Sequence, residues 1–357
     1  MKKLTAILSL VLSLCLLAGC MGTPVVYRCD CPTEGEQTNT GNGTSSDTET
    51  PAEGALKTGL AIVANAKDST AAAADADGEA KYDVTVVAVL VDAGGVIRDC
   101  IIDSIGTSVK FNAAGAITSD LSAEVLTKNE LGDSYGMKAY GGAKYEWYEQ
   151  AAALADFAVG KTIDELKNGA VGADGKAVDV DLASTATIYL GGYVAAIEKA
   201  VANAQHLGAQ SGDILKLAIL SNVGSSAGVG EKDGTAQLDT DAAAITMNGD
   251  TITSCRIDSV QAKVSFDAAG AITSDISAEF ATKNELGENY GMKAWGGASY
   301  EWNEQAASFA SYVTGKTAAE VAGIAVNEKT APADADLSAT VTIAIGGFQA
   351  LIAKAAK

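Results

Sequence analysis

The sequence predicts an α+β fold built twice in tandem, each copy an antiparallel sheet packed against helices. Three observations predict it. Residues 117–162 align without a gap on residues 272–317, with 32 of the 46 positions identical and a constant offset of 155. Each copy opens with alternating, Val- and Ile-rich stretches around a glycine turn, the pattern of a hairpin. Each copy then closes with apolar residues at helical spacing and local capping signals. A period this long means duplicated domains, since solenoid units run roughly 20 to 50 residues.

Taken in order, residues 82–92 and 96–112 read as strands joined by Ala93-Gly94-Gly95, and Asn248-Gly249-Asp250 makes the matching turn in the second copy. The block TKNELGDSYGMK, punctuated by glycine, reads as a loop. Trp147, Ala151, Leu154 and Ala158 then fall on one helical face closed by Gly160; Trp302, Ala306, Phe309 and Val313 repeat this before Gly315. Thr162-x-x-Glu165 and Thr317-x-x-Glu320 are capping boxes opening second helices. Residues 178–190 and 334–345 read as a last strand, which meets Gly191-Gly192 or Gly346-Gly347 and enters an alanine-rich helix.

The chain has 357 residues and a formal net charge of −20. Its length suits two domains of roughly 150 residues. Such a charge repels phosphate backbones and argues against nucleic-acid binding; its ordinary consequence is solubility. Residues 1–20 combine Lys2 and Lys3, an apolar run from Leu4 to Leu17, and Leu17-Ala18-Gly19-Cys20, the order of a lipoprotein signal peptide with its lipobox. Cys20 is then the acylated residue and membrane lipid its partner, placing the chain outside the cytoplasm and lipid-anchored to the cell membrane. Residues 21–55 are polar and low in apolar content, a disordered tether. Residues 56–207 and 208–357 are the two repeat domains. Cys29 and Cys31 lie in the tether; Cys100 and Cys255, one per copy, read as small buried hydrophobes.

The corner before the last helix carries the chemical signal. It reads Asp181-Leu-Ala-Ser184-Thr185-Ala186-Thr187 and leads into IYLGGYVAAIEKAV. This resembles the FMN-binding domain of membrane redox-complex subunits and flavinylated bacterial lipoproteins, whose signature is Asp-x-x-Ser/Thr-Gly-Ala-Thr/Ser. The resemblance implies FMN, joined by a flavin transferase through a phosphoester to Thr187, with Asp181 the motif's acidic position and a membrane redox partner. Thr185 stands where the family has Gly, and the second copy keeps only Asp336 and Thr342 of the pattern. These departures count against covalent attachment, more at Thr342 than at Thr187. Non-covalent FMN, or the fold without flavin, are the other readings, as is a strand presenting Thr187 to solvent.

A flavin site needs a stacking face, and Tyr135, Tyr140, Tyr145, Trp147 and Tyr148 are candidates, with Met137 beside them. Gly191 and Gly192 are candidate backbone donors to phosphate, Lys128 and Lys138 candidate counter-charges. Trp147 and Trp302 read first as core anchors of an amphipathic helix, ahead of a ring-stacking role. The TKNELG and YGMK blocks, kept in both copies, are either a ligand edge or a structural turn. This leaves a redox carrier, a non-catalytic surface module binding a ligand or partner, or a hydrolase using Glu146 or Glu301. His206 is the only histidine, which argues against Ser-His-Asp catalysis and haem. Asp75-Ala-Asp77-Gly78 and Asp179-Val-Asp181 hint at calcium without completing a loop.

Overall fold

Strand β2 (Gly78–Val91) sets the architecture. In its second half, Val86 to Val91, the side chains alternate between two apolar surroundings and neither face meets water. In its first half one face carries Glu79, Lys81, Asp83 and Thr85 toward solvent. Ala80, Tyr82, Val84, Val86 and Ala88 point into one core, and Val87, Val89 and Val91 into another. In the computed structural model, which describes residues 54–357, β2 is central between β1 (Lys57–Asn65) and β3 (Ile97–Phe111) in an antiparallel sheet. The second copy repeats this with β4 (Ile214–Asn222), β5 (Gly234–Asn248) and β6 (Thr251–Phe266).

The helices of the first copy are α1 (Lys128–Leu131), α2 (Trp147–Ala158), α3 (Ile163–Ala170), α4 (Val180–Thr185) and α5 (Gly191–Ala202). Those of the second are α6 (Lys283–Leu286), α7 (Met292–Gly296), α8 (Trp302–Val313), α9 (Ala318–Ala322), α10 (Ala335–Ser338) and α11 (Gly346–Ala355). Helices cover the outer face of each sheet, and the inner faces pack on each other. The order of layers is helices, sheet, sheet, helices, an α+β arrangement as expected.

The two copies share their central core. Phe111 and Phe266, equivalent in the repeat, stack with ring centroids 3.9 Å apart. Lys199 on α5 pairs with Glu285 on α6 at 2.7 Å, and Lys354 on α11 pairs with Glu130 on α1. These reciprocal contacts are those of a two-fold dimer made within one chain. The described residues accordingly form one compact unit.

Three sequence expectations change. Residues 178–190 and 334–345 are not strands: Asp179 accepts from the N–H of Asp181 and Leu182 and so caps α4, as Asp334 caps α10. Alternating Val and Asp imitated a strand, whereas the Asp acts as an N-cap. The TKNELG block is no loop, for Thr127 and Glu130 form a capping box that starts α1. Gly54 and Ala55, assigned to the tether, already join the fold: Ser211 N–H donates to the Gly54 carbonyl at 2.8 Å, and Ala55 bridges Gln210. β1 was not assigned from sequence at all. The lipobox with Cys20, and Cys29 and Cys31, lie outside the described residues. No helix among the described residues is long and apolar enough to cross a membrane.

Candidate functional site

The corner between α4 and α5 is held by one buried amide. Gln150 sits on α2 with no exposed surface. Its Oε1 accepts from Thr187 N–H at 2.8 Å, Ile188 N–H at 3.1 Å and the Thr187 hydroxyl at 3.2 Å. Its Nε2 donates to the Tyr145 carbonyl at 3.0 Å. Gln305 makes the same contacts to Thr342, Ile343 and Tyr300 in the second copy. An amide has both donor and acceptor to give, so it fixes the corner without introducing a charge. Thr187 and Thr342 are exposed, their hydroxyls turned onto these glutamines.

Thr185, in place of the expected glycine, lies at the end of α4 without strain, because Thr330 is the one non-glycine residue with positive φ among those described. Ser184 donates to the Asp181 carbonyl, and Asp181, Ser184 and Thr185 stay outside the neighbouring cleft. Asp336, on α10, is likewise exposed.

That cleft, of about 630 Å³, begins at Ile188 and Tyr189, immediately after Thr187. Trp147 and Tyr193 form an edge-on pair 5.8 Å apart, joined by a Trp147 Nε1 to Tyr193 hydroxyl bond of 3.0 Å. Lys128 is 9 % exposed and holds its ammonium 5.1 Å from both the Tyr135 and Trp147 ring centroids. Lys128 forms no ion pair within 4 Å among the described residues, and its ammonium over two rings suits a cation–π contact. Asp68, Asp83 and Glu279 stand at the cleft too, as does Lys67. The Asn65 Oδ1 is buried with no hydrogen-bond partner, an acceptor left for a ligand N–H. Gly192 opens onto the cleft, and a side chain there would meet nothing within 4 Å. Trp147, 2 % exposed, is a core anchor, so the aromatic surface open to the cleft comes from Tyr135, Tyr189 and Tyr193. With a largely buried cation and an orphaned acceptor, this set fits a planar, hydrogen-bonding ring such as that of FMN.

The second copy has lost several of these features. Asp241 replaces Thr85 beside the sheet, and its carboxyl is raised by burial while Lys283 acts to lower it. Lys283 therefore has an additional buried carboxylate acting on it that the first copy, with Thr85, does not provide to Lys128. Phe348 replaces Tyr193 and Ala344 replaces Tyr189. In the first copy the Tyr189 ring lies on Gly175, where a Cβ would come within 2.0 Å of it. The second copy, with Ala344, carries Thr330 at the matching place. Asn222 Oδ1, the counterpart of the Asn65 acceptor, is satisfied by Gly224 N–H at 3.1 Å.

Several other sequence candidates are placed elsewhere. Of the aromatic set, Tyr135 and Trp147 line the cleft with Met137, while Tyr140, Tyr145 and Tyr148 do not, nor does Lys138. Gly191 N–H is not free for phosphate, since it donates to the Gly175 carbonyl at 3.2 Å. Both oxygens of Glu146 are occupied by Met137 and Lys138 N–H, and those of Glu301 by Met292 and Lys293 N–H. A carboxylate so engaged at 1 to 2 % exposure anchors a loop, which removes the basis for a hydrolase. Asp75 and Asp77 flank a shallow surface site, and no cluster of three metal-ligating side chains exists among the described residues. Cys100 and Cys255 are free and buried, and burial pushes the Cys255 thiol up to about 12. The residues that sequence reasoning missed are Gln150, Asn65, Tyr189 and Tyr193. Gln150 and Gln305 were visible only as one more identity in the repeat.

No family model matches the chain, and no solved structure matches it. Among curated proteins the chain is similar to a chlorophenol reductase of Desulfitobacterium hafniense, 32% identical over 129 residues. The matched segment covers 33% of this chain and 38% of that relative's length.

Proposed function

We propose that the protein is an extracytoplasmic lipoprotein, anchored through Cys20, whose first copy holds FMN and carries electrons for a membrane redox partner. The single observation that supports this most is the cleft beside Thr187, where Lys128, Trp147, Tyr193 and the orphaned Asn65 acceptor converge. FMN, when bound, supplies electron transfer, and the protein sets its position and surroundings. Tyr193, held by its bond from Trp147, and Tyr189 provide the wall against which a ring lies. Lys128 favours an electron-rich edge, and Asn65 Oδ1 receives a ring N–H. Gln150 orients the Thr187 hydroxyl, which stays at the surface where a flavin transferase would reach it. The similarity to a reductase is in keeping with redox work.

The test is production alongside a flavin transferase, followed by absorbance and intact mass. The reading expects yellow protein, with any added FMN mass on Thr187 and lost in Thr187→Ala. Where attachment is non-covalent, the same protein at native mass binds added FMN. Colourless protein that ignores FMN overturns the reading. It would favour a second one, a non-catalytic module, which the exposed aromatics Tyr140 and Trp295, at equivalent places two residues after the two YGMK blocks, support (91 % and 84 % exposed).

A further inference from the structure

A second cleft, of about 600 Å³, lies where the connection between the copies crosses β6 and α8. Its rim is fixed. Gln205 exchanges backbone hydrogen bonds with Thr58, whose hydroxyl meets that of Ser254 on β6 at 2.6 Å. Gly208 (φ 114°) then passes so close to β6 that a Cβ would fall 2.3 Å from the Thr253 carbonyl. The chain's only histidine, His206, therefore stands at the mouth. Leu207, Cys255, Ile257 and Ala310 supply apolar walls.

Two polar atoms in this cleft are buried and unpartnered: Arg256 Nε, a donor, and Asn303 Oδ1, an acceptor. Native structures rarely leave such atoms unpaired, so each points to a missing partner. Arg256 is partly buried and forms no ion pair within the described residues; Asp258, whose charge acts on it, accepts from Ser259 and Asn284 N–H at Oδ1 and lies beyond ion-pair distance of it. The repeat provides an internal comparison. At the places of Arg256 and Asn303 the first copy has Ile101 and Tyr148. The fold thus needs neither polar group, and their presence in one copy is a property of this cleft.

We infer that this cleft binds a small organic acid whose carboxylate meets Arg256, whose apolar body lies along Leu207 and Ile257, and whose hydroxyl or amino donor meets Asn303. An arginine takes a carboxylate through paired N–H donors, which is why an anion rather than a neutral amide answers it. The site is separate from the flavin cleft and does not depend on that reading.

Titration of the full-length protein with benzoate and with 4-hydroxybenzoate, followed by calorimetry, tests the inference. Both probes carry the carboxylate and the ring; the second adds the donor for Asn303. The expectation is binding of both, tighter for 4-hydroxybenzoate. Arg256→Ile should weaken both by about tenfold or more. Asn303→Leu should abolish the preference between them. Arg256→Ile installs the first copy's own residue, and circular dichroism verifies that it folds. Failure of the wild-type protein to bind either probe at about 10 mM, or unchanged affinity in a folded Arg256→Ile protein, overturns the inference.

Discussion

Gln150 does more for the corner than the threonines it holds. Its one oxygen satisfies two backbone N–H groups and a hydroxyl, so truncation leaves part-buried donors unpaired and opens a gap at a fully buried side chain. Gln150→Ala should lower stability in urea unfolding by about 1–3 kcal/mol, the cost of unpaired buried groups. Gln305→Ala should do the same in the second copy, and only Gln150→Ala should also weaken FMN binding. Thr330 offers a gain. It sits at φ 59°, where a β-branched residue is strained, and the first copy has Gly175 there. Left-handed backbone costs roughly 1–2 kcal/mol, and glycine's extra freedom returns part of that. Thr330→Gly should therefore stabilise the protein by about 0.5–1 kcal/mol, read as a higher urea midpoint at unchanged slope.

Among the elements, those legible in sequence were the ones whose pattern is local. The hairpins announced themselves through alternation and glycine turns, and α2 and α8 through their helical stripes. β1 escaped because Gly59 to Ile62 is apolar or small throughout: buried on both faces, it shows no alternation. α4 was misread because Val-Asp-Val-Asp alternates as a strand would, and only hydrogen bonding shows Asp179 to be a cap. The cleft was half legible. Lys128, Trp147 and Gly192 were named from the repeat and the corner, whereas Asn65 comes from the unread β1 and Glu279 from the other copy. Such non-local assembly leaves no trace in spacing. The junction of sheets is testable as an element: the Phe111–Phe266 stack fills the two-fold axis, so Phe111→Ala should cost about 3–5 kcal/mol in urea unfolding. A loss below about 1 kcal/mol would mean that the sheets are not joined there.

At the scale of the molecule, duplication turned a two-fold contact into one chain and then let the halves diverge. The reciprocal ion pairs record the symmetry. Glu130 and Glu285 are exposed residues whose carboxyls are partly covered; that cover alone would raise their carboxyls, but Lys354 and Lys199, with the capping-box bonds, hold both below the usual range. A depressed folded value gives stability that is present above the unfolded value of roughly 4.3 and lost as pH falls through the folded one. The double variant Glu130→Gln, Glu285→Gln should thus be less stable than wild type at neutral pH, by up to about 1 kcal/mol per pair. The gap should close on acidification below about pH 4, as urea midpoints across pH would show. A gap unchanged by acid would mean that the pairs do not hold the halves together. Divergence is written in the two clefts: Thr85, Tyr189 and Tyr193 keep the first open and polar, while Asp241, Ala344 and Phe348 alter the second.

Filling each cleft in turn measures that divergence directly. Gly192 and Gly347 occupy equivalent positions at the starts of α5 and α11, neither has positive φ, and a Cβ at either meets no tight contact. FMN titration of the wild-type, Gly192→Trp and Gly347→Trp proteins, read by quenching of flavin fluorescence, should give a single FMN per chain for the wild type and Gly347→Trp. Gly192→Trp, folded by circular dichroism, should bind none. Binding that survives Gly192→Trp, or that disappears with Gly347→Trp, would contradict the assignment of the flavin to the first copy's cleft.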